Sequence, residues 1–215
     1  MITVYGFARV NAVARGRTRD LRVLWALNET GLPYEISGLD HPRGDLNTDA
    51  YRRLSPFEQI PAIDDDGVVL SESGAIVLYL ARKSGKLMPP DEVGAAEVVR
   101  WCFAALNTVE LPILYLDLLE FTAKDDPGAA GQRKAMTQWA HKRLAGLERW
   151  LDGRDYLAST VFSAADILMA LVLSERDDAA LFAPYPRVRD YRDRCKSRPA
   201  WQKTIDAYCD YVAAA

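Results

Sequence analysis

The pattern of the sequence changes at the proline-rich stretch of residues 87–91, and this change limits the folds that the chain can form. Before this stretch, strand-like runs alternate with helix-like runs, whereas nothing after it resembles a strand. Adjacent prolines interrupt regular structure and mark linkers. At 215 residues the chain is long enough for two domains with sizeable cores. We therefore expect an α/β domain over residues 1–86 and an all-helical domain over residues 92–215.

The first part of the sequence predicts a small sheet with helices. Residues 2–7 and 34–36 are typical of strands, and residues 21–30 form a helix pattern that Gly31 ends. Because a helix connects these two strands, they can run parallel as a βαβ unit. A short helix, two strands and another helix follow, so we expect a four-stranded sheet. These later elements are predicted at residues 49–54, 62–63, 68–70 and 75–83.

The second part predicts helices only, and its strongest local signal is a helix start at Ser163. Ser163 stands at the N-cap and Asp166 at the third helical position, which is a capping box with Asp in place of Glu or Gln. Phe162 and Ile167 can supply the hydrophobic contact that accompanies such a box. Its role is structural. The other predicted helices are residues 92–121 with a bend at Pro112, residues 132–152, a short helix after Pro186, and residues 199–212.

Composition and charge exclude several classes of function. The net charge of −3 gives no reason to expect nucleic acid or an anionic membrane as a partner. The longest apolar run in the helical part, residues 167–173, is too short to span a bilayer. The N-terminus reads as a strand rather than a signal peptide, so a cytoplasmic protein is the default expectation.

Motifs for metals, redox pairs and nucleotides are missing from the sequence. The three cysteines form no C-x-x-C pair, and His41 and His141 are the only histidines, so we expect no metal site. No dinucleotide fingerprint, Walker A motif or G-x-S-x-G motif occurs.

Two short pieces of the first part suggest a binding site. An Ile60-Pro61 bond in the cis form would leave the N–H and C=O of Ile60 unpaired, so that they can bind an extended ligand backbone. Ser71 or Ser73 can cap the helix that follows, whose N-terminus can hold a carboxylate, while Glu72 can hold an ammonium. A zwitterionic amino-acid group would suit this spot. The alternative is that Glu72 and Ser73 only cap the helix.

With these pieces in order, the chain resembles the cytosolic glutathione transferases over nearly its whole length. Each piece is common by itself, and their order and spacing carry the likeness. The matching residues are Val4-Tyr5-Gly6, 22–27, 31–35, Ser55-Pro56, Gln59-Ile60-Pro61, Glu72-Ser73, Tyr79-Leu80, 153–157 and 163–166.

The resemblance implies a thioredoxin-like α/β N-terminal domain, an all-α C-terminal domain, a homodimer and reduced glutathione as cosubstrate. Ile60, before cis-Pro61, would pair with the cysteinyl backbone of glutathione. Glu72 and Ser73 would hold its γ-glutamyl end, and Gln59 would be a further polar contact. The implied activity is transfer of the glutathione thiolate to a small electrophile, with a role in detoxification.

The residue that activates the thiol is where the chain departs from the family. Members use a Ser, Tyr or Cys near the start of the first helix, whereas the loop of residues 8–17 contains none of these. Counting back from Arg22 gives Thr18, which could also cap the helix, and counting forward from Tyr5 gives Asn11. Tyr5 itself is expected in the core.

The same loop is rich in arginine, and this allows two interpretations. Cations beside a thiol favour the thiolate, so Arg17 is a third candidate for activation. Alternatively the basic loop clamps the C-terminal domain or a dimer partner. The arginines are Arg9, Arg15, Arg17 and Arg19.

The electrophile is expected between the domains, against the first long helix of the second domain. Asn107, Glu110, Leu111 and Tyr115 are the candidate wall, and Trp101 is expected in the core. If the two polar residues face the cleft, the substrate carries a hydrogen-bonding group. The other functions considered are a glutathione-dependent isomerase or dehalogenase, and a non-catalytic glutathione-binding or dimerisation module. A thiol–disulfide role is disfavoured because the first helix lacks a cysteine.

Overall fold

The computed structural model describes the chain except for single positions, and the described ranges are residues 1–12, 14–176 and 178–214. The chain forms two compact units. The first contains Met1–Met88 together with Ser197–Ala215, and the second contains Pro89–Lys196. The first is mixed α/β and the second, over its described residues, is helical. The domain limits predicted from the sequence differ from these units mainly at the C-terminal segment, which groups with the first unit.

A four-stranded mixed sheet forms the centre of the first unit, with strand order β3-β1-β4-β5. The middle strand β1 pairs in parallel with β3 and antiparallel with β4. The strands are β1 (Ile2–Phe7), β2 (Arg9–Val10), β3 (Tyr34–Leu39), β4 (Ala62–Asp65), β5 (Val68–Ser71) and β6 (Ala213–Ala214). The predicted βαβ unit and four-stranded sheet are confirmed.

The helices follow the predicted order, with additional short turns. They are α1 (Asp20–Thr30), α2 (Asp49–Leu54), α3 (Ser73–Ser84), α4 (Glu92–Phe103), α5 (Glu110–Thr122), α6 (Ala130–Trp150), α7 (Ala164–Val172), α8 (Ala179–Phe182), α9 (Pro186–Lys196) and α10 (Pro199–Tyr211). Turns of 3-10 helix lie at His41–Arg43, Asp45–Asn47 and Pro127–Ala129.

Helix α1 is the most deeply buried helix of the first unit, because α3 and α10 both pack against it. Leu21, Trp25 and Leu27 have no exposed surface. The helix ends at Gly31, whose φ of 76° lies in the left-handed region that glycine adopts without steric cost.

The C-terminus contributes a strand that the sequence did not predict. β6 pairs in parallel with β2, in the loop after β1. The expectation that no strand follows the proline-rich stretch is therefore wrong at this place. Two residues are too few to show a strand period, and alanine has no preference for strands.

The irregularity expected at Pro112 lies one to two turns earlier along the chain. Residues Ala104–Val109 form a π-helical segment between α4 and α5. Pro112 has no N–H to donate to the preceding turn, and single π turns absorb such a mismatch within a long helix.

One helical stretch of the described chain, Glu92–Thr122, is long and apolar enough to cross a membrane by length and composition alone. In the most apolar part of this stretch the mean hydropathy is 1.5, and 44% of that part is buried inside the protein. A core helix of a protein folded in water passes the same test, so the stretch is weak evidence for a membrane span.

The predicted capping box at α7 is confirmed, and its aspartate does more than cap. The N–H and Oγ of Ser163 donate to Oδ2 of Asp166 at 2.9 and 2.8 Å. The N–H of Leu157 and the hydroxyl of Tyr191 donate to Oδ1 at 3.0 and 2.9 Å. Burial raises the pKa of Asp166, although these hydrogen bonds act in the opposite direction. The carboxylate thus joins a loop and two helices.

We expect Ser163→Ala to lower the free energy of unfolding by about 1 kcal/mol, the usual cost of a lost cap. Asp166→Ala should cost about 3 kcal/mol or more, because it leaves buried donors of Leu157 and Tyr191 without an acceptor. Urea unfolding of both variants measures the difference. Equal losses would show that Asp166 acts only as a cap.

Candidate functional site

A cavity of about 300 Å³ opens in the first unit. It lies where the chain leaves β1 and β3, which is the edge at which parallel strands of open α/β sheets bind ligands. Three loops supply its walls, and the lining residues are Phe7, Arg17, Thr18, Arg19, His41, Leu46, Glu58, Gln59 and Ile60.

The loop before β4 presents the main chain of Ile60 to this cavity. The Ile60-Pro61 peptide bond is cis, as expected. Among the described residues, neither the N–H nor the C=O of Ile60 forms a main-chain hydrogen bond. The neighbouring main chain is held: Tyr51 donates its hydroxyl to the carbonyl of Gln59 at 2.9 Å, and the N–H of Gln59 donates to Oγ of Ser55 at 3.0 Å. The loop is therefore fixed while Ile60 keeps its hydrogen-bonding groups available.

Glu72 stands at the N-cap of α3 in an uncommon backbone conformation. Its φ is 71° and its ψ 110°, and its side chain is exposed. A non-glycine residue in such a region costs about 1–3 kcal/mol and is most often found at binding sites. No side chain caps α3, so the expectation that Ser71 or Ser73 does so is wrong. The N–H groups of the first turn of α3 thus remain available to a ligand carboxylate.

Ser73 is buried and contacts a cation. Nη1 of Arg22, itself only 2% exposed, donates to Oγ of Ser73 at 3.3 Å. A guanidinium beside a helix N-terminus adds to the positive potential there. This end of α3 is therefore suited to an anionic group.

Thr18 lies in the cavity wall, two positions before Asp20, where α1 begins. Its Oγ1 is 2.8 Å from the hydroxyl of Tyr208 on α10. The N-cap of α1 is Arg19, which makes no side-chain cap, so Thr18 does not cap the helix. The next residue, Asp20, is fully buried and accepts the N–H groups of Phe7 and Leu21 at 3.0 and 3.1 Å.

Burial raises the pKa of Asp20, while hydrogen bonds, that of Thr18 foremost among them, oppose the rise. Asp20 lies beside Gly6, where an added Cβ would come within 3.1 Å of its Oδ2. A side chain at position 6 would therefore require the Asp20 carboxylate to shift by a few tenths of an ångström.

The other candidates of the first loop are separated by the structure. Arg17 lines the cavity together with Arg19. Asn11 is exposed and outside this lining, and its Oδ1 accepts the N–H of Ala14 at 2.8 Å. Arg15 instead donates to the carbonyl of Cys209 at 2.7 Å. Arg17 therefore lies at the cavity, whereas Arg15 holds the C-terminal segment that groups with the first unit.

In the second unit, the four candidate substrate residues do not share one face. Asn107, Leu111 and Tyr115 follow each other at intervals of four and are exposed, whereas Glu110 is 5% exposed. Trp101 is half-buried and packs against Trp150, with ring centroids 5.0 Å apart and the ring planes tilted by 43°. Trp101 is thus a packing residue at the edge of the core.

The family follows from comparison with known proteins. The sequence profiles described as glutathione S-transferase N-terminal and C-terminal domains match residues 21–83 and 116–199. Glutathione S-transferase 3 of Zea mays is 32% identical over 197 residues, which cover 87% of this chain and 88% of the maize protein. The chain belongs to the glutathione S-transferase family. The family and the fold predicted from the sequence are confirmed.

Two further relatives of this glutathione S-transferase bear on the chemistry. A glutathione transferase from Burkholderia graminis, crystallised with two glutathione molecules per subunit, superposes with a TM-score of 0.83 at 26% identity, covering 96% of this chain and 88% of that one. The disulfide-bond oxidoreductase YfcG of Escherichia coli is 30% identical over 190 residues, 81% of this chain and 84% of its own length.

Sequence reasoning missed several residues of the cavity. His41 was considered only as a metal ligand, although it follows β3 at the ligand-binding edge of the sheet, and this position could have indicated it. The described residues contain no cluster of His, Cys, Asp or Glu suited to a metal ion. Tyr208 could not be found from the sequence, because it lies 190 positions from Thr18.

We predict that Glu72→Gly raises the free energy of unfolding by about 1 kcal/mol relative to Glu72→Ala, since only glycine adopts this positive φ without strain. Both variants lose the same carboxylate, so their difference isolates the backbone. Urea unfolding of the two variants measures it. Equal stabilities would mean that the conformation of Glu72 stores no strain.

Proposed function

We propose that this member of the family is a transferase that binds glutathione in the first unit and joins its sulfur to a small electrophile. The observation that carries the proposal is the cavity that brings the unpaired main chain of Ile60 together with the hydroxyl of Thr18 and the cation of Arg17. These groups suit a peptide backbone, a thiol and a negative charge, respectively.

The extended peptide would bind along the loop before β4. Its cysteinyl N–H and C=O pair with Ile60, as a strand pairs with a sheet edge. The γ-glutamyl end reaches the first turn of α3, where the N–H groups and Arg22 favour its carboxylate and Glu72 its ammonium. Gln59, exposed at the cavity, supplies a further polar contact.

The other carboxylate of glutathione suits the basic side of the cavity. Arg19 and His41 line this side of the cavity. Charged hydrogen bonds to a carboxylate are about twice as strong as neutral ones, so this side fixes the direction in which the peptide binds.

Activation of the thiol follows from the same geometry. An ordinary thiol has a pKa of about 8.5, so only a few per cent of it is thiolate at neutral pH. A hydrogen bond from Thr18 to the sulfur, the charge of Arg17 and the N-terminus of α1 each stabilise the anion. The thiolate then attacks the electrophile held beside it, a carbon–sulfur bond forms, and the leaving group departs with the electron pair.

Calorimetry with glutathione, followed by ultraviolet titration of the bound thiol, tests this proposal. We expect binding, and a thiol pKa below that of free glutathione. Thr18→Ala should raise that pKa by about one unit, which corresponds to 1.36 kcal/mol of lost anion stabilisation. Arg17→Ala should also raise it while leaving the affinity mostly intact.

Asn11→Ala distinguishes the remaining candidate. Asn11 does not line the cavity, and its side-chain oxygen accepts the N–H of Ala14. We therefore expect this variant to keep the thiol pKa of the parent protein. A higher thiol pKa in Asn11→Ala, with an unchanged thiol pKa in Thr18→Ala, would identify Asn11 as the activating residue. No binding of glutathione by the parent would leave a non-catalytic module as the better interpretation.

We propose the exposed series Asn107, Leu111 and Tyr115 as the wall for the electrophile. Glu110 would support it from the buried side of the same helix. This arrangement favours a largely apolar substrate with one hydrogen-bonding group.

A second candidate function is reduction of disulfides by glutathione. It is favoured by the name of the Escherichia coli relative and by the two glutathione molecules in the Burkholderia graminis structure. Two bound glutathiones need no protein cysteine: the first thiolate attacks the disulfide and releases one thiol, and the second attacks the mixed disulfide and releases glutathione disulfide and the other thiol. Assays with an aryl halide and with a small disulfide, run in parallel, decide between the two functions.

We also propose that the protein is a homodimer, located in the cytoplasm and acting in detoxification. The second unit exposes apolar side chains along α4 and α5, and contiguous exposed apolar surface is typical of protein–protein interfaces. They include Phe103, Leu114, Leu118 and Phe121, which are 57%, 40%, 51% and 71% exposed.

Leu118→Asp should convert the dimer to a monomer, because it places a charge within that apolar face. Val161→Asp, at a residue that is 67% exposed but off this face, is the matched control and should leave the dimer intact. Sedimentation equilibrium of both variants gives the masses. A monomeric parent, or a dimeric Leu118→Asp variant, contradicts this interface.

A further inference from the structure

Asp20 is a carboxylate that the fold holds beside the cavity with no exposed surface of its own. Its oxygens accept the N–H groups of Phe7 and Leu21 at 3.0 and 3.1 Å. The hydroxyl of Thr18 also donates a hydrogen bond to this carboxylate. Three donors and the N-terminus of α1 favour the ionised form, so Asp20 carries a negative charge although it is shielded from solvent.

The bond to Asp20 determines the other hydrogen bonds of Thr18. A threonine hydroxyl has one proton to donate and two lone pairs to accept with. Because a carboxylate is a stronger acceptor than a phenol oxygen, the Thr18 proton points to Asp20. The hydroxyl of Tyr208, 2.8 Å from Oγ1 of Thr18, is then the donor in their contact. One lone pair of Thr18 is left for a ligand in the cavity that Thr18 lines.

The buried charge of Asp20 sets a condition on any thiolate that forms beside Thr18. If the thiol released its proton to solvent, two negative charges would lie close together, and like charges disfavour each other. If the proton instead moved to Asp20, the negative charge would pass from the carboxylate to the sulfur and the total charge of the site would stay the same. The second route therefore avoids the repulsion.

We propose that Asp20 accepts the thiol proton of bound glutathione, with Thr18 as the relay. The S–H bond breaks and its proton goes to Oγ1 of Thr18, while the original Thr18 proton goes to a carboxylate oxygen of Asp20. The sulfur keeps the electron pair. Thr18 then donates to the thiolate and accepts from Asp20 and Tyr208, so that its proton and both lone pairs are used.

The same path works in reverse after the transfer reaction. Once the carbon–sulfur bond has formed, the proton returns from Asp20 to Thr18, and Thr18 passes its own proton to the leaving group or to water in the cavity. Asp20 is then ionised again for the next glutathione. This inference rests on the proposed function, and it deepens it by naming where the thiol proton goes.

The tyrosines around Asp20 do not compete for this proton. The charge of Asp20 acts on Tyr51 of α2 and on Tyr208 and Tyr211 of α10. Burial, and after it this charge, raises the pKa of each tyrosine, so all three keep their own protons at neutral pH. Burial also raises the pKa of Asp20, which brings it nearer to the pKa of a thiol and makes the transfer easier.

On the cavity side, one other group can accept a proton. Arg17 and Arg19 line the cavity with Thr18, but a guanidinium is already protonated and has no acceptor site. His41 also lines the cavity, and a neutral imidazole accepts a proton near neutral pH. The experiment therefore has to separate Asp20 from His41.

The experiment counts thiolates and protons on the same sample at neutral pH. Ultraviolet difference absorbance gives the thiolate formed per glutathione bound, and calorimetry in two buffers of different ionisation enthalpy gives the protons released. S-methylglutathione, which has no thiol proton, supplies the baseline from all other groups. Because a proton passed to Asp20 stays in the protein, we expect the parent to form more thiolate than it releases protons.

Two variants break the path at different atoms. Thr18→Val keeps the shape of the side chain without its hydroxyl, and Asp20→Asn keeps the shape without the basic oxygen. In each folded variant the protons released should equal the thiolates formed, which is a complete loss of the retained proton. Thr18→Val decides alone if Asp20→Asn does not fold. Thr18→Ser keeps a hydroxyl and should retain the excess of thiolate, and His41→Gln should retain it while binding glutathione less tightly.

Three results would contradict the relay. Equal numbers of thiolates and released protons in the parent would show that the thiol proton goes to solvent, which overturns the inference and leaves the proposed function standing. An excess of thiolate that persists in Thr18→Val or Asp20→Asn, or that disappears only in His41→Gln, overturns it in the same way. A parent protein that binds no glutathione, or binds it only as the thiol, overturns both the inference and the proposed function.

Discussion

The attachment of Asp20 to the end of β1 is the contact on which the site depends. This buried carboxylate accepts the N–H groups of Phe7 and Leu21, and so ties the central strand to the start of the first helix. Gly6 allows the approach, since a Cβ there would lie 3.1 Å from the carboxylate. Because Thr18 stands two positions before Asp20, its place in the cavity wall follows from this junction.

The second unit uses the same device in a different context. Asp166, like Asp20, is a buried aspartate in the first turn of a helix that accepts main-chain N–H groups from outside that helix. Burial raises the pKa of each carboxyl group, and hydrogen bonds oppose that rise. The difference lies in what stands nearby. Asp166 is surrounded by packing residues, whereas Asp20 lies next to the ligand-binding edge of the sheet, so one junction serves stability and the other also orders a site.

The peptide-binding groups combine local rigidity with unused hydrogen bonds. Tyr51 and Ser55 hold Gln59 from both sides, and Ile60 beside it keeps its main chain unpaired. Glu72 adopts a positive φ at the start of α3, where no side chain occupies the helix N-terminus. In both places the fold satisfies the groups around the ligand position and leaves those at the position itself for the ligand. Such preorganisation reduces the ordering cost of binding.

The sequence alone determined the elements whose signals are local. The helix period of α1 with Gly31 at its end, the capping box at Ser163 and the proline after Ile60 each depend on neighbouring residues, and each was predicted. Tertiary structure decided the rest. β2 pairs with β6, and Thr18 contacts Tyr208, although these residues are far apart in the chain. A local sequence pattern cannot predict these contacts, because they form only when α10 packs against α1. The sequence also did not show that α3 lacks a side-chain cap, since Ser71 and Ser73 are both residues that can cap a helix.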